Sequence, residues 1–304
     1  MAQAQRHRRR ARKNANAPDV PRAPYIIRKI GTINVLSEEG LCLIEENADR
    51  ILAETGMEFK DDPEILQVIA AAGCDFQMDR VRLAHGICRK IIQTNAPAQF
   101  QQHARNPANT VQIGGDATVL CPSWGPPFVH DLDAGRRYAT YEDFKRLVRL
   151  HHALPWLHHS GGVVCEPVDL PATKRHLDML YAHMRYSDRA FMGAFIGAER
   201  AGHAIDMARI LFGTDFIAEN PVLYCVSNTN APLVMDAHMS GALKTYARAG
   251  QPVACTPWVL TGAMSPTTVA GTLAQVLAEA LASLTLVQLV ARRVLWVALP
   301  QPCQ

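Results

Sequence analysis

The stretch VACTPWVLTGAMSPTTVAGTLAQ, residues 253–275, indicates most clearly which fold the chain adopts. It opens as a short apolar strand, Pro252 to Thr256, passes Trp258 and enters a loop that contains Ser265. It then continues as a long run with almost no charge. A strand that leads through a polar loop into a helix is the repeating unit of α/β proteins, whose sites lie at such strand ends.

Strand and helix units of the same kind precede this stretch. GGVVCEP is followed by the helix LPATKRHLDMLYAHM, AFMGAF by ERAGHAIDMARILFG, and PVLYCVSN by VMDAHMSGALKTYARAG. The strand TVLCPSW, residues 118–124, comes first and leads through a hairpin at 128–140 into a helix capped by Thr140. Because these strands are apolar throughout, we expect parallel strands that are covered on both faces.

The predicted fold is therefore α/β with a parallel sheet, open or closed. The units above number five, and VLWVAL at 294–299 would supply a sixth strand with no helix after it. A closed TIM barrel needs eight units, so the sequence predicts an incomplete (β/α)8-type barrel of about five to six units. The chain lacks a GxGxxG after its first strand and any GxxxxGK[ST], so dinucleotide and P-loop sites are not favoured.

Changes in composition along the chain predict four regions. Capping residues and glycine stops predict helices at 37–56 and 62–73, and the apolar run 81–94 is predicted to be helical too. The regions are a disordered basic tail (1–24), an N-terminal helical region (25–110), a partial (β/α) barrel (111–291) and an aberrant or truncated C-terminal tail (292–304).

The charge distribution argues against a nucleic-acid surface on the folded body. Six of the 31 Lys and Arg residues lie in the first thirteen positions. The rest of the chain has 25 Lys and Arg residues and 28 Asp and Glu residues. The body is thus slightly acidic. The tail has no apolar core, so it is not a secretory signal. A solubilising extension is preferred over a transit peptide or an RNA-binding arm.

Cysteine spacing and hydropathy predict a cytoplasmic protein with reduced thiols. Eight cysteines occur without a CxxC pair, which does not suit a disulfide framework. Residues 269–291 are long enough to span a bilayer and carry Glu279 as their only formal charge. They lack an aromatic belt and contain several polar residues, so we expect a helix buried in the core or in the interface of a homo-oligomer, and no membrane span.

In parallel α/β folds the carboxyl ends of the strands surround the site, and we call this end of the array the mouth. The residues at the predicted strand ends make the mouth aromatic and weakly polar. Such a mouth suits a small organic ligand, and alkylammonium cations in particular bind the faces of aromatic rings. Packing within the core is the alternative role for each single ring. The short amides and hydroxyls of VSNTNAPL exceed what helix capping alone requires. The candidate residues at the mouth are Trp124, Glu166, Phe195, Asn228, Asn230, Trp258 and Ser265.

Two metal hypotheses can be weighed from the sequence. Thiolates on neighbouring barrel strands bind zinc in some alkyltransferases, which brings Cys121, Cys165, Cys225 and Cys255 into consideration. Buried Cys that fill a tight interior are preferred, because no Cys or His pair has ligand spacing. The doublets at 151–152 and 158–159 are interpreted as a helix end and the following loop, since adjacent side chains point apart. No metal site is therefore predicted.

The segment NAPLVMDAHMSGALKTYARAGQPVACTPWVLTGAMSPTTVAGTLAQVLAEALA resembles the trimethylamine methyltransferase family of corrinoid-dependent methyltransferases. The resemblance extends back through GGVVCEPVDLPATKRHLDML, DLDAGRRYATYEDF and EEGLCLIEENADRILAETGMEF, and covers roughly residues 24–290. It implies a TIM barrel. It also implies methyl transfer from a methylated amine to the Co(I) corrinoid (a cobalamin) of a small partner protein. The chain contains no pyrrolysine and resembles the members similar to glycine betaine methyltransferase.

The resemblance gives each mouth residue an expected role. Trp124, Phe195 and Trp258 would hold the cation, and Glu166 would supply a mildly negative field. The amides Asn228 and Asn230 would orient the substrate. A substrate carboxylate would lie at the helix that begins near Ser265. No cofactor would be bound directly, because the corrinoid is carried by the partner.

The sequence departs from the family after residue 290, where ARRVLWVALPQPCQ replaces the expected next unit. A frameshift or premature stop near Ala291 is the expectation that follows. The sequence is also compatible with two other functions. One is a zinc-thiolate alkyltransferase that uses Cys121, Cys165 and Cys255, and the other is a catalytically inactive fragment that at most binds a partner.

Overall fold

The computed structural model describes residues 23–31, residues 33–291 and the backbone of residues 296–297. Most of the basic tail predicted for residues 1–24 therefore lies outside the described residues. So does most of the tail predicted for residues 292–304. The four predicted regions stay predictions, and the elements below are those of the described residues.

The helices begin and end close to the positions that their caps predict. Ser37 caps the first helix through the amide of Gly40, and Thr140 and Asp143 form a capping box at the start of the fourth. Helix α1 continues through a π-helical turn at Ile51–Thr55. The α-helices are α1 (Glu38–Arg50), α2 (Pro63–Ala71), α3 (Ile87–Asn95), α4 (Tyr141–Ala153), α5 (Arg175–Tyr186), α6 (Ala198–Phe212), α7 (Thr214–Glu219), α8 (Ala237–Arg248) and α9 (Val269–Val290).

Short strands connect these helices in several small sheets. The predicted hairpin is present as β8 and β9, with Phe128 opposite Tyr138 and Asp131 accepting bonds from two turn amides. The strands are β1 (Ile26–Ile27), β2 (Met57–Lys60), β3 (Asp75–Gln77), β4 (Arg80–Arg82), β5 (Gln99–Gln102), β6 (Val111–Gly114), β7 (Ala117–Thr118), β8 (Phe128–Asp131), β9 (Gly135–Tyr138), β10 (Phe191–Met192), β11 (Leu223–Ser227), β12 (Val234–Asp236), β13 (Val253–Cys255) and β14 (Trp296–Val297).

The centre of the fold is a four-stranded parallel sheet with the strand order β10-β11-β13-β14. Phe191 pairs with Leu223, and Cys225 pairs with Val253, so neighbours in space follow one another in the chain. The backbone of β14 pairs with β13 in the same direction and supplies the sixth strand that the sequence suggested. Sequential parallel strands separated by helices confirm the α/β class.

The two segments predicted as the first strands do not form regular strands. In 118–124 only Thr118 is in a strand, and 161–167 has none. Pro122 cannot donate to a ladder, and Gly161 adopts a left-handed φ of 89°, so neither segment continues a regular pairing.

These irregular segments nevertheless lie in the array where strands were predicted. His158 N–H donates to Leu120 O (2.9 Å), and Gly125 N–H donates to Val163 O (2.7 Å). Met192 N–H donates to Gly161 O (2.9 Å), which joins this pair of segments to β10. Ser160 N–H also donates to Ala190 O (2.8 Å), so residue numbers rise together along both pairs of neighbours, and the two segments run parallel to β10. Six chain segments thus lie side by side, but within the described residues they do not close into a barrel.

The long uncharged helix α9 is buried within the chain. It packs against α1, α2, α3 and α8, and the side chains of residues 278–288 are buried. By length and composition α9 could cross a membrane. However, 72% of its most apolar 18-residue stretch is buried inside the protein. Core burial, one of the two expected positions, accounts for its composition, and a homo-oligomer stays a prediction.

The N-terminal helices are joined to the parallel array by a mixed sheet. Strand β12 pairs in parallel with β2, and β4 pairs antiparallel with both β2 and β3. The prediction that residues 81–94 form one helix is thus wrong at its start, because β4 includes Val81 and α3 begins at Ile87. A groove of about 400 Å³ on this sheet is lined by Glu58, Gln77, Met78, Asp79, Arg80 and Arg82.

Gly193 lies at the end of β10 directly against the buried ring of Tyr246. A Cβ on Gly193 would be 2.0 Å from the tyrosine Oη, which donates a hydrogen bond to Ala194 O (2.9 Å). We therefore expect Gly193→Ala to lower the free energy of unfolding by about 1–3 kcal/mol, measured by urea denaturation. Gly202→Ala is the control, because nothing lies within 4 Å of its Cβ. Equal stability of the two variants would contradict the packing described here.

Candidate functional site

Two of the three predicted mouth aromatics contact each other. Trp124 and Phe195 meet edge to face, with ring centroids 5.2 Å apart and planes at 89°. Trp124 follows the first segment of the array and Phe195 follows β10, so their contact spans the segment between them. Both side chains are half-buried. Edge-to-face pairs leave part of each ring face available to a cation.

Trp258 and Ser265 lie together in the loop 256–268 after β13. Trp258 is 66% exposed, which makes it the most open of the predicted aromatic residues. The Ser265 hydroxyl lies 2.8 Å from that of Thr272 in the first turn of α9. Thr268 caps this helix by accepting from Gly271 N–H. The loop therefore presents hydroxyl groups at a helix N-terminus, which is a favourable place for a carboxylate.

Glu166 is paired with a base instead of standing as an isolated negative charge. Its carboxylate accepts a hydrogen bond from the Arg175 guanidinium, which also donates to Leu170 O. Its backbone N–H donates to Pro126 O (2.9 Å), which places Glu166 beside the loop that carries Trp124. The ion pair reduces the net field that Glu166 offers a substrate cation and holds the carboxylate in one orientation.

Asn228 and Asn230 lie at the end of β11 and have different neighbours. The Asn228 Oδ1 accepts from the Thr256 hydroxyl (2.7 Å), a bond that joins the ends of two adjacent strands. The exposed Asn230 accepts from Asp236 N–H through its side chain (3.2 Å) and donates through its backbone to Val234 O. Asn228 is therefore fixed beside the next strand end, and Asn230 closes the loop that precedes α8.

Glu279 is a residue near the mouth that the sequence pattern did not assign to the site. It is fully buried in α9, and its carboxylate accepts hydrogen bonds from Thr229 and Leu233. The sequence could have indicated a special role for Glu279, because it is the only formally charged residue in a 22-residue helix. A lone charge in such a helix indicates a specific polar contact.

The thiols do not form the zinc site that was one of the alternatives. Cys225 and Cys255 lie on neighbouring strands of the main core, whereas Cys165 belongs to a separate apolar cluster. Burial raises the pKa of Cys165 and of Cys255 to about 12, so both are neutral thiols in the metal-free chain. Among residues 23–31 and 33–291, no three His, Cys, Asp or Glu side chains are grouped to hold a metal ion. The zinc-thiolate alternative therefore lacks a ligand set among these residues.

The second histidine doublet begins a buried hydrogen-bond network. Gly161 N–H donates to His159 Nδ1 (2.9 Å), so the ring proton is on Nε2, which donates to Gln102 Oε1 (3.1 Å). His183 Nε2 donates to Gly162 O and its Nδ1 accepts from the Ser160 hydroxyl, both at 2.7 Å. Burial lowers the pKa of His159 to about 3 and of His183 to about 4. Both rings are therefore neutral hydrogen-bonding groups.

These two histidines predict a loss of stability in mild acid. The unfolded chain takes up protons near pH 6.5 while the folded chain does not, so acidification favours unfolding until the folded pKa is reached. Between pH 7.5 and 5 we expect the free energy of unfolding to fall by roughly 2 kcal/mol for each histidine. Urea titrations at several pH values measure this slope. His159→Gln should reduce the slope, because it removes one of the two groups that take up a proton on unfolding. A flat profile would contradict the prediction.

Comparison with known proteins bears on the same residues. The family model for trimethylamine methyltransferase (MTTB) matches residues 2–296. The chain is 42% identical over 256 residues to the glycine betaine methyltransferase of Desulfitobacterium hafniense strain Y51, covering 84% of this chain and 53% of that protein. It is 25% identical over 263 residues to the trimethylamine methyltransferase MttB of strain DSM 10664 / DCB-2, covering 84% of this chain and 52% of that protein. The chain thus spans about half the length of the curated relatives it matches. From the extent of these matches, the chain belongs to the trimethylamine methyltransferase family.

Proposed function

We propose that this chain is a methyltransferase that binds a quaternary methylated amine, of the glycine betaine type, and presents its methyl group to a corrinoid carried by a partner protein. The observation that carries the proposal is the contact of Trp124 with Phe195 at the ends of the parallel segments. A half-buried aromatic pair at this position suits a trimethylammonium group. The 42% identity to a glycine betaine methyltransferase supports the same amine.

The chemistry of the amine explains why the mouth holds few charged groups. Transfer breaks a carbon–nitrogen bond, and its electron pair returns to the nitrogen, so a quaternary ammonium leaves as a neutral amine. No acid has to protonate that leaving group. The corrinoid acceptor supplies the nucleophile when it is bound. The chain has to hold the cation, orient one methyl group outward and exclude water around it.

The substrate carboxylate is assigned to the loop 256–268. Ser265 and Thr272 place two hydroxyls 2.8 Å apart at the start of α9, whose N-terminus favours an anion. In this arrangement the ammonium group is held at Trp124 and Phe195, and Trp258 covers it from the exposed side. Asn228 and Asn230 orient the molecule between these two ends. The Glu166–Arg175 pair fixes the wall beside Trp124.

The proposal also covers the fold, the cofactor, the cell compartment and the assembly. We assign the six side-by-side segments to a (β/α)8 barrel, because their spatial order is their chain order and they run in one direction. The corrinoid is carried by the partner and is not a resident cofactor of this chain, so free cob(I)alamin can stand in for it as the methyl acceptor. The protein acts in the cytoplasm as a homo-oligomer.

A methyl-transfer assay tests the proposed function. The purified chain is mixed with cob(I)alamin and with glycine betaine, trimethylamine or dimethylamine, and the loss of Co(I) absorbance is followed together with the demethylated product. We expect glycine betaine to be used fastest and to yield dimethylglycine. Folded protein that transfers no methyl group from any of these amines would contradict the proposal and would support an inactive fragment.

A further inference from the structure

Glu279 is fully buried in the middle of α9, and uncharged groups satisfy its carboxylate. Its Oε1 accepts from Leu233 N–H and from Gln275 Nε2, both at 2.9 Å. Its Oε2 accepts from the Thr229 hydroxyl. A buried carboxylate is costly unless its oxygens are hydrogen-bonded. These three bonds therefore account for its place in the core.

The bonds of Glu279 lead to two different loops of the mouth. Thr229 and Leu233 belong to the loop 228–233, which joins β11 to β12. Gln275 also donates to Met264 O (2.9 Å), in the loop 256–268 that follows β13. One side chain and its neighbour one turn away thus connect the loops at the ends of two adjacent strands. Both groups are buried, so water does not compete for these bonds.

The two loops carry four residues of the proposed substrate site, Asn228 and Asn230 in the first loop and Trp258 and Ser265 in the second. Thr229 lies between Asn228 and Asn230 in the chain, and Met264 precedes Ser265. The Thr229 hydroxyl bonds inward to Glu279, whereas the side chains of its neighbours Asn228 and Asn230 bond to Thr256 and Asp236. The Thr256 to Asn228 bond (2.7 Å) is a second link between the same loops.

We propose that Glu279 is a positioning residue that sets the distance and orientation between the amide groups after β11 and the hydroxyl group of Ser265. This inference rests on the proposed function, since it assigns those groups to one substrate. An apolar residue at position 279 would fit the surrounding helix, whose neighbours are mainly Ala, Leu and Val. It could pack but could not direct two loops through hydrogen bonds, which is what a binding site of defined geometry needs.

Four variants of the full chain test the proposal. Glu279→Gln keeps the shape of the side chain but replaces one of its two acceptor oxygens with an amide NH2 group. That NH2 group then faces a group that also donates, either the Thr229 hydroxyl or the Leu233 and Gln275 N–H groups. Thr229→Val removes the hydroxyl alone, and Thr229→Ser restores it. Ser283→Ala is the control, because Ser283 is equally buried in α9 and its hydroxyl donates within the helix, to Glu279 O (2.8 Å).

Hydrogen exchange shows whether Glu279 holds the loops. We expect Glu279→Gln and Thr229→Val to speed exchange by at least about tenfold at the Leu233 amide and across residues 228–233, with residues 175–186 unchanged. Glu279→Gln should also affect residues 256–268. Thr229→Ser and Ser283→Ala should match the wild type. Thr229→Val keeps this test open if Glu279→Gln does not fold. Unchanged exchange in the two loops would overturn the proposal, whether or not the protein transfers methyl groups.

Steady-state kinetics shows whether the loops are held for the substrate. With glycine betaine and cob(I)alamin, we expect KM to rise about tenfold in Glu279→Gln and Thr229→Val, with a smaller change in kcat. Thr229→Ser should restore KM. Faster exchange in the two loops with an unchanged KM would mean that Glu279 stabilises the loops without positioning the substrate groups. That result would overturn the proposal. If the wild-type protein has no activity, the proposed function is wrong. The exchange measurement then decides only whether Glu279 holds the two loops.

Discussion

Trp124→Leu and Phe195→Leu are each expected to raise the KM for glycine betaine by roughly 30-fold, because a desolvated cation–π contact contributes about 2 kcal/mol. The two rings meet at 5.2 Å, so removal of either one also frees the other to move. The double variant should therefore lose less than the product of the two single effects. Methyl-transfer rates measured against substrate concentration give these values.

Trp156→Leu is the matched control for these aromatic variants. Trp156 is 66% exposed and precedes the segment that begins at His158, at the opposite end from the mouth. Its replacement should leave KM and kcat unchanged. Wild-type KM in both Trp124→Leu and Phe195→Leu would show that the pair only fills space.

Lys244→Met is expected to lower the free energy of unfolding by about 3–5 kcal/mol, because it strands a buried carboxylate. Lys244 Nζ lies 2.7 Å from Asp62 Oδ1, and their side chains are only 8% and 6% exposed. Ser240 donates to the other oxygen of Asp62, so the acid is fixed on both sides. The cluster joins α8 to the start of α2, so its loss should weaken the attachment of the N-terminal helices to the parallel array.

Arg248→Met separates the effect of burial from the effect of charge. Arg248 pairs with Glu64, as Lys244 does, but its side chain is 53% exposed. Its replacement should cost less than about 1 kcal/mol. Adding Asp62→Asn to Lys244→Met should recover part of the lost stability, since it removes the stranded charge. Urea denaturation of these variants gives the values, and equal losses for Lys244→Met and Arg248→Met would contradict the account.

Local signals in the sequence predicted the elements whose causes are local. The capping box of Thr140 and Asp143 and the turn after Asp131 each depend on a few adjacent residues. The strands that pair regularly, β11 and β13, were visible as apolar runs between turn signals. Pro122 and Gly161 could have indicated that the first two segments are irregular, because both residues disfavour a regular ladder.

Features that depend on distant residues could not be predicted in the same way. The pairing of β12 with β2 joins Val234 to Glu58, and no local pattern specifies that register. At the mouth, the aromatic residues could be proposed because they follow predicted strands. The ion pair of Glu166 could not, because its partner Arg175 lies on the helix that follows. The contacts of Glu279 reach 46 to 50 residues back along the chain. Its isolated charge indicated that a polar contact exists but not which groups make it.

Proton NMR of glycine betaine in the presence of the chain tests the central claim most directly, because it needs neither the corrinoid nor the partner protein. The claim is that the trimethylammonium group lies against the rings of Trp124 and Phe195. Aromatic ring currents should then shift the N-methyl signal upfield as protein is added. The shift should be lost in the Trp124→Leu/Phe195→Leu double variant and kept in Trp156→Leu. An absent shift, or one that persists in the double variant, would contradict the account.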